Sequence, residues 1–202
     1  MTVLGTNKFQ SSFSTFTSSR NYYANGYLTD IHRNKYFILS FIGSSVGTLM
    51  VSRLSDEILR TLIPILLITV AVFFIINRQV KTDLSNYIVL LTPLIFLIGF
   101  YDGFFGPGTG SFFVMLFLVF KNQSLLESTA ISKLLNFASN FAAFIIFAVQ
   151  GFVMWELGLI MAVGGIGGAY LGSKSAIKVG DKLIRPILVV VSIMLSIRIL
   201  TS

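Results

Sequence analysis

Two lysines inside apolar stretches are the residues of this chain best suited to bind a charged ligand. Lys8 lies in the apolar segment 6–25, and Lys133 lies in the segment 127–150. Moving an ammonium group into hydrocarbon costs at least about 2.5 kcal/mol, so such residues usually face a protein interior or a wet cavity. Alternatively, each lysine snorkels to the interface, because it lies near the start of its segment.

Polar residues surround the two lysines at identical spacing. Lys8 shares one helical face with Ser11 and Thr15, and Lys133 shares the same face of its helix with Asn136 and Asn140. An ammonium supplies charge and neutral donors supply orientation, which suits an oxyanion. The predicted substrate-binding residues on these two segments are Asn7, Lys8, Gln10, Ser11, Ser132, Lys133, Asn136 and Asn140.

A glycine-rich break at residues 99–111 separates two apolar runs. It holds five glycines, Pro107 and Asp102 where a spanning helix would carry apolar residues. Non-helical backbone at membrane depth is tolerated only inside protein or along a cavity, and broken helices of this kind bind substrates in many carriers. The turn precedes a short helix, whose N-terminus favours anions. The predicted binding residues here are Gly106, Pro107, Gly108, Thr109 and Gly110. A tight turn that only needs glycine torsions is the compatible alternative.

Asp102 is the only carboxylate beside the glycine-rich break. It is a candidate for coupling anion movement to a proton, as buried carboxylates do in carriers. Alternatively it caps a helix or pairs with one of the lysines.

Composition identifies a polytopic membrane protein. Of 202 residues, 54% are hydrophobic and 11% are charged, with a mean hydropathy of +0.84, whereas soluble domains carry about 25% charge. There is no cysteine and one histidine, His32. Disulfides, thiol catalysis and histidine pairs are therefore excluded, and neither a cofactor nor a metal is expected. With no second membrane-embedded acid, an intramembrane enzyme is disfavoured.

Hydropathy predicts an all-α fold of about seven transmembrane helices plus one half-helix, in a single membrane domain over residues 1–202. A span needs about 20 apolar residues, and segment 109–121 is too short to cross alone. The predicted segments are 6–25, 36–53, 57–77, 86–104, 109–121, 127–150, 153–174 and 181–201.

The two halves of the chain repeat each other. Residues 6–9 match residues 131–134, Gly26 matches Gly151, and Gly43 and Gly47 match Gly164 and Gly168. Apart from the embedded lysines, an all-crossing topology puts ten basic residues on one side and three on the other, which is a positive-inside bias. An odd number of crossings between the repeats preserves that bias and predicts inverted repeats.

The repeats are unequal in length. Residues 1–85 hold three segments and read as an incomplete first repeat, whereas residues 86–202 hold five. We expect about forty residues, the counterpart of the glycine-rich break, to precede Met1 in a complete inverted pair. The glycines spaced by four residues, at Gly43, Gly47, Gly164, Gly168 and Gly172, predict close helix packing.

Two motifs resemble the sulfite exporter TauE/SafE family, and its YfcA-like branch in particular. They are Gly5-Thr6-Asn7-Lys8-Phe9-Gln10-Ser11-Ser12-Phe13 and the run from Tyr101 to Ser111. The resemblance covers essentially the whole chain and implies a bacterial carrier for small anions, often sulfur oxyanions or organosulfonates. It also implies a glycine-rich N-terminal span that this sequence lacks.

The sequence therefore predicts a secondary carrier of small anions, sulfur-containing oxyanions or organosulfonates, spanning the bacterial inner membrane several times. An anion channel and a truncated, non-transporting fragment of such a carrier are the alternatives. The expected partners are a small anionic solute and the lipid bilayer. Nucleic acid is not expected, because the basic residues cluster at span ends, and homo-oligomerisation is left open.

Overall fold

A computed structural model describes residues 1–53 and 85–180 of the chain. This part contains helices and no strand. A 3-10 turn, Ser85–Leu90, precedes α3, and the predicted segments 57–77 and 181–201 lie outside the described residues. The helices are α1 (Thr2–Ala24), α2 (Arg33–Val51), α3 (Leu91–Phe104), α4 (Thr109–Lys121), α5 (Leu125–Val149) and α6 (Trp155–Val179).

The all-helical class is confirmed for the described residues. Two helices, α5 and α6, are long and apolar enough to cross a membrane, and Ile88–Phe104 and Thr109–Lys121 are shorter apolar helices. The half-helix predicted at 109–121 has those bounds in the structure. The count of seven spans and the inversion of the repeats stay predictions.

Helices α1 and α5 end in the same way. Gly26 and Gly151 both adopt a φ of 77°, which favours glycine. In each case the following N–H reaches back five residues, from Tyr27 to the Tyr22 carbonyl at 3.0 Å and from Phe152 to the Phe147 carbonyl at 2.8 Å. These are Schellman ends, and they fall on residues that the sequence repeat places in register.

The first helix of each repeat packs against the second helix of the other repeat. Helix α1 packs on α5 and α6, whereas α2 packs on α3 and α5. If α1 and α2 correspond to α5 and α6, the α1–α6 and α5–α2 contacts are equivalent. A two-fold relation between the repeats would produce this pattern.

Close glycine contacts hold α2 against α3. A Cβ at Gly43 or Gly47 would overlap the backbone of α3, and a Cβ at Gly103 would overlap the Ser44 carbonyl. The close approach predicted for Gly43 and Gly47 is therefore confirmed. On α6, no atom of the described residues lies within 4 Å of a Cβ at Gly164, Gly168 or Gly172, so their packing role stays a prediction.

Buried hydroxyls join α2 to its neighbours. Ser40 and Ser44 donate to the carbonyls of Leu135 and Ser139 in α5, at 2.9 and 2.6 Å, and Thr48 donates to the Gly103 carbonyl of α3 at 3.1 Å. Such bonds hold helices together where water is absent. They fix α5 and the end of α3 relative to each other.

Apolar packing seats the half-helix α4. Phe113 and Phe117 are fully buried, in one cluster with Leu135 of α5 and Ile95 of α3. The start of α4 therefore has a fixed position between the ends of α3 and α5.

Candidate functional site

A buried ion pair joins the first helix to the glycine-rich break. Lys8 of α1 donates to Asp102 Oδ1 of α3 at 2.8 Å and also to the Asp102 carbonyl. The two side chains are 4% and 3% exposed. Of the alternatives for Asp102, the structure places it in the pair with a lysine.

Two hydroxyls complete the shell around the Asp102 carboxylate. Thr109, the first residue of α4, donates to Oδ1 at 3.2 Å, and Ser139 of α5 donates to Oδ2. Helices α1, α4 and α5 thus each supply one donor to a carboxylate at the end of α3.

The turn between α3 and α4 passes directly over this ion pair. Gly106 and Gly108 adopt φ values of 106° and 82°, and a Cβ at Gly106 would lie 3.0 Å from Lys8 Nζ and 2.9 Å from Asp102 Oδ1. Both torsion and space therefore require glycine at position 106. Tyr101 fixes the turn by donating to the Pro107 carbonyl at 2.7 Å.

The first turn of α4 faces the polar side of α5. Ser132 donates to the Gly110 carbonyl at 2.8 Å, and a Cβ at Gly110 would lie 3.1 Å from Asn136 Nδ2. At this helix start the N–H groups of Thr109 and Ser111 donate to the carbonyls of Gly106 and Gly108, at 3.2 and 2.9 Å. Gly110, between them, lies beside the hydroxyl and amide donors of α5. The surroundings suit an anion by polarity and by the direction of the α4 dipole.

Lys133 differs from its repeat counterpart. It is partly buried, and within the described residues it makes no ion pair or hydrogen bond, whereas Lys8 is neutralised by Asp102. The Lys8–Asp102 pair carries no net charge, so Lys133 is the cation of the predicted set whose charge no described residue balances.

Not all predicted residues converge on this site. Asn7 is exposed, and Gln10 donates to Ser14 at 2.8 Å beside Gly165 of α6. The Ser11 hydroxyl donates to Gln10 Oε1 at 3.4 Å. Asn140 donates to the Asn136 carbonyl of its own helix at 2.7 Å. The structure therefore brings together Lys8, Gly106, Pro107, Gly108, Thr109, Gly110, Ser132, Asn136 and Asp102.

Sequence reasoning missed Ser139 and Tyr101 as members of the site. Ser139 lies seven residues after Ser132, on the same helical face, and it also matches Ser14 in the repeat. Extending that polar face by one turn would have found it. Nothing in the sequence distinguishes Tyr101 from other aromatic residues. Within the described residues, no group of three His, Cys, Asp or Glu side chains could hold a metal.

Comparisons with known proteins agree with the motifs. The family model of the sulfite exporter TauE/SafE matches residues 1–199. A probable membrane transporter protein, ORF9, of a Sinorhizobium species is 38% identical over 99% of this chain and 78% of its own length. The probable membrane transporter protein YfcA of Escherichia coli K12 is 34% identical over 98% of this chain and 75% of its own.

A probable membrane transporter protein of Haemophilus influenzae is 33% identical over 96% of this chain and 78% of its own length. No solved structure matches. The matches extend over both motifs and over the helices that bring Lys8, Asp102 and Ser139 together. The chain therefore belongs to the sulfite exporter TauE/SafE family of membrane transporters.

Proposed function

We propose that this protein is a secondary carrier for small anions, of the class of sulfur-containing oxyanions and organosulfonates, across the bacterial inner membrane. The observation that carries the proposal is the position of Gly106. A Cβ added there would touch both Lys8 and Asp102. A helix start that favours anions thus lies directly beside a buried ion pair. The family's description as a sulfite exporter supports the substrate class.

In this proposal Lys133 supplies the charge that attracts the substrate. The Lys8–Asp102 pair is already neutral, and Lys133 is balanced by no described residue. Ser132 and Asn136, beside it in sequence, contact the first turn of α4. Substrate oxygens would accept hydrogen bonds from these donors and from the N–H groups at the start of α4.

The ion pair offers a way to couple anion movement to a proton. An anion that reaches Lys8 competes with the Asp102 carboxylate for the same ammonium. A buried carboxylate that loses its charged partner is costly, so Asp102 would take up a proton. The anion and the proton would then move together, and Asp102 would release its proton when Lys8 returns to it.

An anion channel of the same architecture is the second candidate, and a truncated, non-transporting fragment is the third. A carrier gives saturable flux that depends on a counter-ion or proton gradient. A channel gives single-channel currents. A fragment gives neither, although it can retain binding.

Binding of an anion panel to the purified protein tests the proposal. The panel is sulfite, thiosulfate, taurine, sulfoacetate, acetate and chloride, and the readout is the shift in thermal unfolding temperature. We expect one or more sulfur-containing anions to raise that temperature, because a ligand that binds only the folded state stabilises it. The shift should disappear in Lys133→Gln and persist in Lys35→Gln, which removes an exposed charge.

Two outcomes would contradict the proposal. If no anion of the panel shifts unfolding, the substrate class is wrong. If Lys133→Gln responds as the unsubstituted protein does, the assignment of Lys133 is wrong even when binding is real.

A further inference from the structure

A groove between α1 and α6 lies apart from the site described above. It has a volume of about 440 Å³, and its walls include Phe16, Thr17 and Arg20 of α1 and Ile166, Gly167 and Tyr170 of α6. This volume lies within the range of about 300–1,000 Å³ that ligand sites usually occupy. None of these residues takes part in the Lys8–Asp102 site.

One part of the groove is apolar and open. Phe16 is 49% exposed and Ile166 is 39% exposed. Between them, a Cβ at Gly167 would meet no atom of the described residues within 4 Å. In a membrane protein, such a trough on an outer helix is accessible to acyl chains.

The other part of the groove is cationic. Arg20 is exposed and makes no ion pair within the described residues. Lys174, one turn beyond Tyr170, lies over the Tyr170 ring with its Nζ 5.6 Å from the ring centroid. Asn21 ties the two helices together here by donating to Ser173 Oγ at 2.8 Å. Two positive charges therefore flank one end of a fixed apolar trough.

The equivalent surface of the other half carries one cation, because the offset that pairs Gly43 with Gly164 also pairs Arg53 with Lys174. By the repeat, Phe16 and Arg20 correspond to Phe141 and Ile145 of α5, and Gly167 and Tyr170 correspond to Val46 and Leu49 of α2. These four counterparts are 38%, 39%, 39% and 44% exposed. Both surfaces are thus open, but the α1–α6 groove carries two cations, Arg20 and Lys174, where its counterpart carries one. The two cations lie on the side that the charge bias assigns to the cytoplasm.

We propose that this groove binds an anionic phospholipid from the cytoplasmic leaflet. The phosphate lies between Arg20 and Lys174, and the acyl chains lie along Phe16, Gly167 and Ile166. Basic pockets between transmembrane helices on the cytoplasmic side are the usual sites for anionic headgroups. A guanidinium suits this role because its planar fork matches phosphate oxygens.

Native mass spectrometry of the protein, purified in mild detergent with added phosphatidylglycerol or phosphatidylethanolamine, tests the proposal. We expect phosphatidylglycerol to bind preferentially. The Arg20→Gln/Lys174→Gln variant should lose about thirtyfold in affinity, because each basic residue near an anionic headgroup contributes about fivefold. The charge-matched control is Lys35→Gln/Arg53→Gln, which removes two exposed cations outside α1 and α6 and should retain binding.

A third variant separates a built groove from simple charge attraction. Gly167→Leu fills the trough while both cations remain, and its Cβ would meet no described atom within 4 Å, so we expect a folded protein that loses the lipid. Three outcomes would overturn the proposal: the control variant loses as much lipid affinity as Arg20→Gln/Lys174→Gln, Gly167→Leu retains full lipid binding, or soluble glycerol phosphate displaces the lipid. A lipid-free dimer of the parent protein that Gly167→Leu dissociates would also overturn it, because the groove would then bind a second copy of the chain.

Discussion

Removing either partner of the Lys8–Asp102 pair should destabilise the protein, and removing both should cost no more than removing one. At a separation of 2.8 Å and an effective dielectric constant of about 20, Coulomb attraction is roughly 6 kcal/mol. Desolvation of two buried charges offsets most of that gain, but losing one partner strands the other and typically costs about 3–5 kcal/mol. We therefore expect Lys8→Met and Asp102→Asn each to lower the free energy of unfolding by about 3–5 kcal/mol.

The double variant Lys8→Met/Asp102→Asn distinguishes a true pair from two independent sites. Independent effects would add to about 6–10 kcal/mol, because additivity holds when residues do not interact. The structure instead predicts that the double variant loses an amount within about 1 kcal/mol of either single variant. When both residues are replaced together, no charge stays buried at positions 8 and 102. One of the two hydroxyls, of Thr109 or Ser139, can still donate to the amide oxygen at position 102, and the other can accept from the amide NH2 group.

The assay is reversible unfolding in mixed micelles, titrated with dodecyl sulfate and followed by the fluorescence of the single tryptophan, Trp155. This residue contacts the rings of Phe9 and Phe144, so its signal reports contact between α6 and helices α1 and α5. Lys35→Met, which removes an exposed charge, is the control and should unfold like the parent. Additive losses in the double variant would refute the paired arrangement of Lys8 and Asp102.

Three further predictions concern the backbone that positions the site. Gly47→Ala should lower the free energy of unfolding by about 1–3 kcal/mol, because its Cβ would overlap the Phe100 carbonyl, whereas Gly172→Ala should not lower it, because nothing described lies near. Gly108→Val should abolish anion binding in the thermal-shift assay, because position 108 has a φ of 82°. Gly108→Asn should retain anion binding, because asparagine tolerates that torsion. Anion binding by the valine variant would show that the turn is not part of the site. Ser124→Ala should cost about 1 kcal/mol of unfolding free energy, because it removes the capping box with Glu127; no loss would mean that the cap is dispensable.

Local signals in the sequence were sufficient for the broken helix and for some helix ends, whereas α6 extends to Val179, beyond the predicted segment 153–174. The start of α4 follows Gly106 and Gly108, and its end falls on Asn122, which adopts a φ of 51°. These residue types favour left-handed torsions by themselves, so the bounds of 109–121 were predictable. For the same reason, Gly26 and Gly151, at equivalent positions of the repeat, predict the C-terminal ends of α1 and α5.

The membership of the site was less predictable because it depends on tertiary contacts. Lys8 and Asp102 are separated by 94 positions, and the sequence left proton coupling, capping and ion pairing open for Asp102. Gln10 was predicted in the site as a neighbour of Lys8 in the sequence, but it lies beside Gly165 of α6, because residues two positions apart do not share a helical face. Ser139 was missed because its role depends on the position of Asp102.

The proposed transport function and its dependence on Lys133 are tested most directly by anion flux into proteoliposomes. The measurement is uptake of sulfite or an organosulfonate, with and without a proton gradient, by the parent protein, Lys133→Ala and the exposed-charge control Lys35→Ala. The proposal predicts saturable, gradient-dependent uptake that Lys133→Ala abolishes and Lys35→Ala retains, with all three proteins inserted equally. Uptake by Lys133→Ala equal to that of the parent, or no uptake of any anion by the parent, would contradict it.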